Sequence, residues 1–164
     1  MMKGKSFRSP TKGRMTLPVM AGEISAFVGE DPKSDYTLIV GTDSNSEKKP
    51  DFVTAIVIHR VGRGARYFWT KTNGGRVFHT LRDRIVEEAV ISLEAAQAIL
   101  GELGSLVKSK ERPSCAFQIH LDVGEEGPTK DMIKEVVGMV RGNGFEAKIK
   151  PDSCGASSVA DKHV

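Results

Sequence analysis

Two apolar runs in this chain each end in an aspartate, and that pairing narrows the folds open to it. One is Tyr36-Thr37-Leu38-Ile39-Val40-Gly41-Thr42-Asp43-Ser44, the other Ala116-Phe117-Gln118-Ile119-His120-Leu121-Asp122-Val123-Gly124. A carboxylate at the end of a buried strand costs desolvation energy unless a cation compensates it. Open α/β sheets place their ligands just beyond strand ends, so the pair points to a metal site. Glu88 within a long amphipathic helix and Asp161 in the terminal segment are two further acids available to complete a four-carboxylate cluster.

At 164 residues the chain fits one domain, and a domain of this size buries roughly two-thirds of the surface its unfolded chain exposes. No apolar run approaches the ~20 residues that span a bilayer, and the N-terminus has no apolar stretch with a small-residue cleavage site. The expectation is a cytoplasmic protein without a membrane partner. Cys115 and Cys154 are too few for a disulfide framework and read as thiols. The net charge of +3 is unevenly spread: Lys3, Lys5, Arg8, Lys12 and Arg14 stand in the first twenty residues with no acid, so the rest carries 24 − 5 = 19 basic against 21 acidic residues, a net of −2. Residues 1–17 are expected as a basic, flexible tail ahead of a single domain over 18–164. Such a tail suits either phosphate-backbone binding or a solvated terminus.

Helical apolar spacing runs from Val19 to Gly29 behind Pro18, and Asp31-Pro32-Lys33-Ser34 ends it. Strands are expected over about Tyr36–Thr42, Phe52–Arg60 and Ala65–Thr70, the last two joined as a hairpin through Gly62-Arg63-Gly64. From about Thr80 to Leu103 the pattern is helical: at about 100° per residue Leu81, Ile85, Ala89, Ser92, Ala96, Ile99 and Leu103 form one stripe, with Glu88 at its edge and Glu87 and Glu94 on the far side. A fourth strand ends at Asp122, a helix follows from Gly127-Pro128-Thr129 to about Val140, a fifth strand covers Phe145 to Lys150, and a short helix begins near Ala156. The result is an α/β chain with the order βββαβαβα behind an N-terminal helix.

That order, with an aspartate on the first strand, an inward acid on the long helix, an aspartate ending the fourth strand and an acid after the fifth, resembles the ribonuclease H-like fold. The segments Ile39 to Ser44, Ile119 to Gly124, and Lys148-Ile149-Lys150-Pro151-Asp152 followed by Ala156-Ser157-Ser158 are similar to those of the YkuK-type family, a bacterial group of that class. The resemblance implies a five-stranded mixed sheet with helices on both faces. It makes Asp43, Glu88 and Asp122 metal-binding and catalytic acids, with Asp161 as a fourth and Asp152 as its rival.

Phosphodiester hydrolysis by this class uses two divalent cations about 4 Å apart. Hard Mg²⁺ or Mn²⁺ takes carboxylate and water oxygens, so converging Asp and Glu without His or Cys form the matching donor set. The resemblance therefore implies a metal-dependent nuclease or phosphodiester-processing enzyme acting on RNA, RNA:DNA hybrid or structured DNA; the alternative is an inactive module of the same fold that binds nucleic acid or a protein. Each residue also has a plainer reading. Aspartates at strand ends form turns and caps, Glu88 alone is a semi-exposed helix residue, and Asp161 sits near a solvated terminus. Arg60, Arg63, Arg66, Lys71 and Arg76 interleave with Tyr67, Phe68, Trp69, Phe78 and His79, either as phosphate and base contacts or as alternating strand faces. His120 reads as a hydrogen-bonded core histidine. Zinc-binding spacings, a Walker-type lysine motif and a serine nucleophile elbow do not occur.

Overall fold

The computed structural model describes residues 2, 4–106 and 115–163, without the side chains of residues 105, 106, 154, 157, 158, 161 and 162. In chain order the elements are β1 (Phe7–Ser9), β2 (Gly13–Met15), α1 (Leu17–Glu30), β3 (Tyr36–Ser44), β4 (Asp51–Arg60), β5 (Gly64–Asn73), α2 (Leu81–Leu106), β6 (Cys115–His120), α3 (Ile133–Gly142), β7 (Glu146–Lys148) and α4 (Cys154–His163), with a single 3₁₀ turn at Lys130–Met132. They form one seven-stranded sheet in the order β2-β1-β5-β4-β3-β6-β7. β3, β4 and β5 are an antiparallel meander, β6 runs parallel to β3, and β7 runs parallel to β6.

The expected count of five strands is corrected to seven, because the segment read as a basic tail supplies two. Phe7 and Ser9 turn inward while Arg8 turns out, and Phe7 is fully buried in the main core with Met15 and Leu17. The connection closes on the Ser9 hydroxyl, which accepts from the Thr11 and Lys12 amides at 3.3 Å each, and on Gly13, whose φ of +69° favours glycine. Arg8 pairs with Trp69 of β5, so the hairpin widens the meander's outer edge.

β3 is the central strand, and its period-two alternation sends Tyr36, Leu38, Val40, Thr42 and Ser44 to one face and Thr37, Ile39, Gly41 and Asp43 to the other. The first face packs with α1, α2 and α3 around Phe7, Met20, Ile24, Ile56, Ile58, Ile85, Ile99 and Val136. α1 starts at the Thr16 cap, with Pro18 in its first turn, where the missing N–H costs nothing. Its C-terminal end is tied down by Arg60, which donates to the Phe27 carbonyl at 2.8 Å and to the Tyr36 hydroxyl at 3.0 Å while lying 4.2 Å over the Phe27 ring.

α2 begins where the Thr80 hydroxyl accepts from the Asp83 amide at 3.0 Å. It then runs against β3 in the opposite direction. Four helical residues rise about 6 Å, close to two strand residues, so Glu88 meets Ser44 and Ser92 meets Thr42. Ser92 Oγ donates to Thr42 Oγ1 at 2.8 Å, and Thr42 contacts Thr54 at 3.0 Å, all three buried. These hydroxyls satisfy one another and fix the helix's rotation on the sheet.

α4 covers the second face over Ile39, Val53, Ala55 and Val57 through Ala156 and Ala160. The close approach depends on Gly41, where an added Cβ would stand 2.6 Å from Ala156 Cβ and 3.2 Å from the His120 carbonyl oxygen. Gly41→Ala is therefore expected to destabilise the fold by about 1–3 kcal/mol, and Ala156→Gly to recover part of the loss. Urea unfolding of the two single variants and the double variant checks this, and strictly additive effects would remove the contact as the cause.

Candidate functional site

The site forms where β3 and β6 end. Gly41 is paired in register with His120, and Asp43 and Asp122 each lie two residues further along, Asp43 still within β3 and Asp122 beyond the end of β6. The backbone keeps its alignment past the last β6 residue: the Leu121 amide donates to the Lys148 carbonyl at 2.9 Å and the Lys150 amide to the Val123 carbonyl at 2.8 Å.

Glu88 comes from the opposite face. Ser44 Oγ donates to Glu88 Oε1 at 2.5 Å, and one turn earlier Arg84 Nη1 donates to the Asn45 carbonyl at 3.2 Å. Only 5% of Glu88 is exposed. Burial pushes its carboxyl up to about 8; the Ser44 hydrogen bond opposes that, the charges of Asp43 and Asp122 add to it, and Arg84 opposes again. The three acids singled out in the sequence share one electrostatic environment, in which a buried carboxylate feels two neighbouring negative charges. Ser44 was missed by sequence reasoning, although its adjacency to Asp43 on the alternate strand face was the available signal.

Among the described residues no group of three or more His, Cys, Asp or Glu side chains is assembled to hold a metal ion. Part of the cationic compensation comes from the protein itself, since Lys150 Nζ lies 2.7 Å from Asp122 Oδ1. Lys150 stands in the Lys148-Ile149-Lys150-Pro151-Asp152 segment, where local sequence gives no sign of this partner. A cleft of about 420 Å³ opens beside this pair, lined by Gly124, Glu125, Glu126, Lys150 and Pro151. As a donor set the acids suit a hard divalent ion: every side-chain donor is oxygen, and among the described residues Glu88 has a hydroxyl but no cation as its hydrogen-bond partner.

Asp161 belongs to α4, but its side chain lies outside the described residues. Asp152 is exposed in the turn before α4, its amide donating to the Ile149 carbonyl at 2.8 Å. His120 is a core histidine, 6% exposed, with Nε2 3.2 Å from Gln118 Oε1; burial and then Lys148 hold its pKa below the usual imidazole range. His79 is exposed in the loop before α2.

The interleaved cations and aromatics are largely engaged within the fold. Arg60 anchors α1, Arg63 pairs with Asp31 at 3.1 Å, Arg66 lies 4.8 Å over Phe27, and Arg76 lies 4.0 Å over Phe78 while reaching Glu87 at 3.4 Å.

An antiparallel meander continued by parallel strands, flanked by helices on both faces and with acids at the ends of its two central parallel strands, is the arrangement of one class. Residues 19–164 match the family model described as ribonuclease H-like, and the chain belongs to that family. A relative 37% identical over 163 residues, covering 95% of each chain, is the Bacillus subtilis (strain 168) protein titled "Uncharacterized protein YkuK", which places the chain in the YkuK-type group. No solved structure gives a significant match. No helix among the described residues is long and apolar enough to cross a membrane.

Proposed function

We propose that the chain is a Mg²⁺- or Mn²⁺-dependent nuclease, or a close phosphodiester-processing enzyme, acting on RNA, RNA:DNA hybrid or structured DNA. The observation that carries this is the buried Glu88 carboxyl held in the field of Asp43 and Asp122, and family membership supports it. Asp43, Glu88 and Asp122 would hold the ions, with Asp161 or Asp152 as the fourth carboxylate. When bound, the ions activate water and stabilise the leaving oxygen. The chain's own part is to hold the acids. The hydroxyl of Ser44 orients Glu88, and the parallel pairing of β3 with β6 brings the strand ends that lead into Asp43 and Asp122 together. Lys150 lowers the repulsion around Asp122 while that carboxylate awaits a cation.

The second reading, a module that keeps the fold and binds without cleaving, draws on the same Lys150 contact, which already neutralises one acid. Millimolar Mn²⁺ at pH 8 is expected to raise the unfolding midpoint of the wild type by about 5 °C, the shift that roughly 2 kcal/mol of linkage gives a chain of this length. Asp43→Asn should lose most of that shift. A wild type that does not respond, or an Asp43→Asn variant that responds equally, would assign the protein to the second reading.

A further inference from the structure

The pairing of β3, β4, β5, β1 and β2 aligns Gly41, Ala55, Trp69, Arg8 and Arg14 in one row across the α4 face. α4 covers the start of the row and ends with the His163 ring stacked on Trp69, centroids 3.8 Å apart and planes 7° from parallel. Beyond it the face is open. Arg8 and Arg14 stand opposite each other on adjacent strands, both exposed, and neither is paired with an acid among the described residues. Two like charges directly opposite one another destabilise a strand pair, so the fold carries a charge conflict that it leaves uncompensated. One row away, Lys71 is in register with Asp43 through Val53.

With Lys5, Lys71 and Trp69, the two arginines line a cleft of about 680 Å³ whose walls also include Ser6, Thr70, Thr72 and Asn73, and no acid. Lys5 is partly withdrawn from water against the Thr72 hydroxyl, and burial holds its ammonium below the usual lysine range. Lys71 also reaches Asp51 at 3.2 Å. The cations do not converge on one point, as they would for a lone phosphate. Arg8, Arg14 and Lys71 are spread over β1, β2 and β5 on the sheet face that carries Asp43, whereas Lys5 turns to Thr72 on the opposite face, towards Glu94 of α2. Three to four strand spacings separate the arginines from Asp43, roughly 15–20 Å.

We propose that this cleft binds the phosphate backbone of a single-stranded nucleic-acid segment, with Arg8, Arg14 and Lys71 as its contacts and the Trp69 edge beside the sugars or bases. The proposal rests on the nucleic-acid reading above and names where the strand is held away from the acids. Arginine forks suit phosphate oxygens, and a linear polyanion resolves the Arg8–Arg14 conflict along its length.

The test is fluorescence anisotropy of the full chain with a labelled mixed-sequence 20-nucleotide single-stranded RNA in EDTA, across a salt series. Arg8→Gln/Arg14→Gln is expected to weaken binding at least tenfold and to lower the slope of log K against log salt by about 1.4, two contacts at roughly 0.7 each for a single strand. Lys71→Gln, which leaves the hairpin intact, should lower the slope by about 0.7. Unchanged affinity and slope in both cation variants, with the wild type still binding, would overturn the cleft and leave the metal-site reading standing. No wild-type binding at all would overturn the cleft as well, and the Mn²⁺ response would then decide the metal-site reading separately. Displacement of the RNA by equimolar inorganic triphosphate would overturn the strand in favour of a small polyphosphate.

Discussion

Asp43→Asn is expected to lower divalent-metal-dependent cleavage of RNA, RNA:DNA hybrid or branched DNA by more than about a hundredfold, a loss of the size that follows removal of one charge-stabilising group from a reacting centre. The substitution keeps the shape of the side chain. Asp43 lies near the end of β3 beside Ser44, the hydrogen-bond partner of Glu88, and its charge acts on Glu88, which makes it the acid expected to matter most. Substrate binding should persist, because the cations of the proposed cleft lie elsewhere on the sheet. Purified wild type and variant are compared on a panel of single-stranded, duplex, hybrid and branched substrates in Mg²⁺ and Mn²⁺. Equal cleavage by both would mark the activity as a contaminant, whereas wild-type binding without cleavage would favour the non-catalytic module.

Glu88 gives the largest expected pH effect on stability. Its carboxyl is pushed up to about 8 from an ordinary 4.5, so between those values the folded state retains a proton that the unfolded chain has released. Stability contributed by this group is fully present below about pH 4.5 and is lost as pH rises through about 8. At 1.36 kcal/mol per pKa unit, the loss between pH 5 and pH 8.5 is on the order of 3–5 kcal/mol without metal. Glu88→Gln keeps an acceptor oxygen for Ser44 and removes the charge, so its stability should exceed that of the wild type at pH 8.5 and vary little across the window. Urea unfolding at half-unit pH steps in EDTA measures both curves, and parallel curves would show that Glu88 does not titrate there.

Much of this site was legible because it is built from local patterns. A period of two put Asp43 on the face opposite Val40, and a period of 3.6 left Glu88 leaning towards the core; together they bring Asp43, Glu88 and Asp122 into one electrostatic environment. The hairpin over Phe7–Ser9 and Gly13–Met15 was not legible, since three-residue strands give no measurable alternation and its basic residues resemble a solvated segment. Its ordering comes from Phe7, whose burial depends on helices later in the chain. The same limit governs the arginines: Arg60 meets the Phe27 carbonyl 33 positions away, a partner that no local window reveals. Lys150 near Asp122 is likewise a product of β6–β7 alignment.

The flanks of the sheet determine whether the molecule can stay apart from its copies. A ten-residue strand such as β5, ending at Asn73, would offer a long row of unpaired amides and carbonyls if it lay outermost, and such rows recruit strands from other chains. Here the outermost positions go to β2 and β7, each three residues long. β2 presents Arg14 and β7 presents Glu146 and Lys148, so a second copy approaching either margin meets little backbone to pair with and a charge to desolvate. The N-terminal hairpin meets β5 at the single pair Arg8–Trp69, so the two arginines beside Trp69 are also the charges that a strand approaching that margin would have to desolvate.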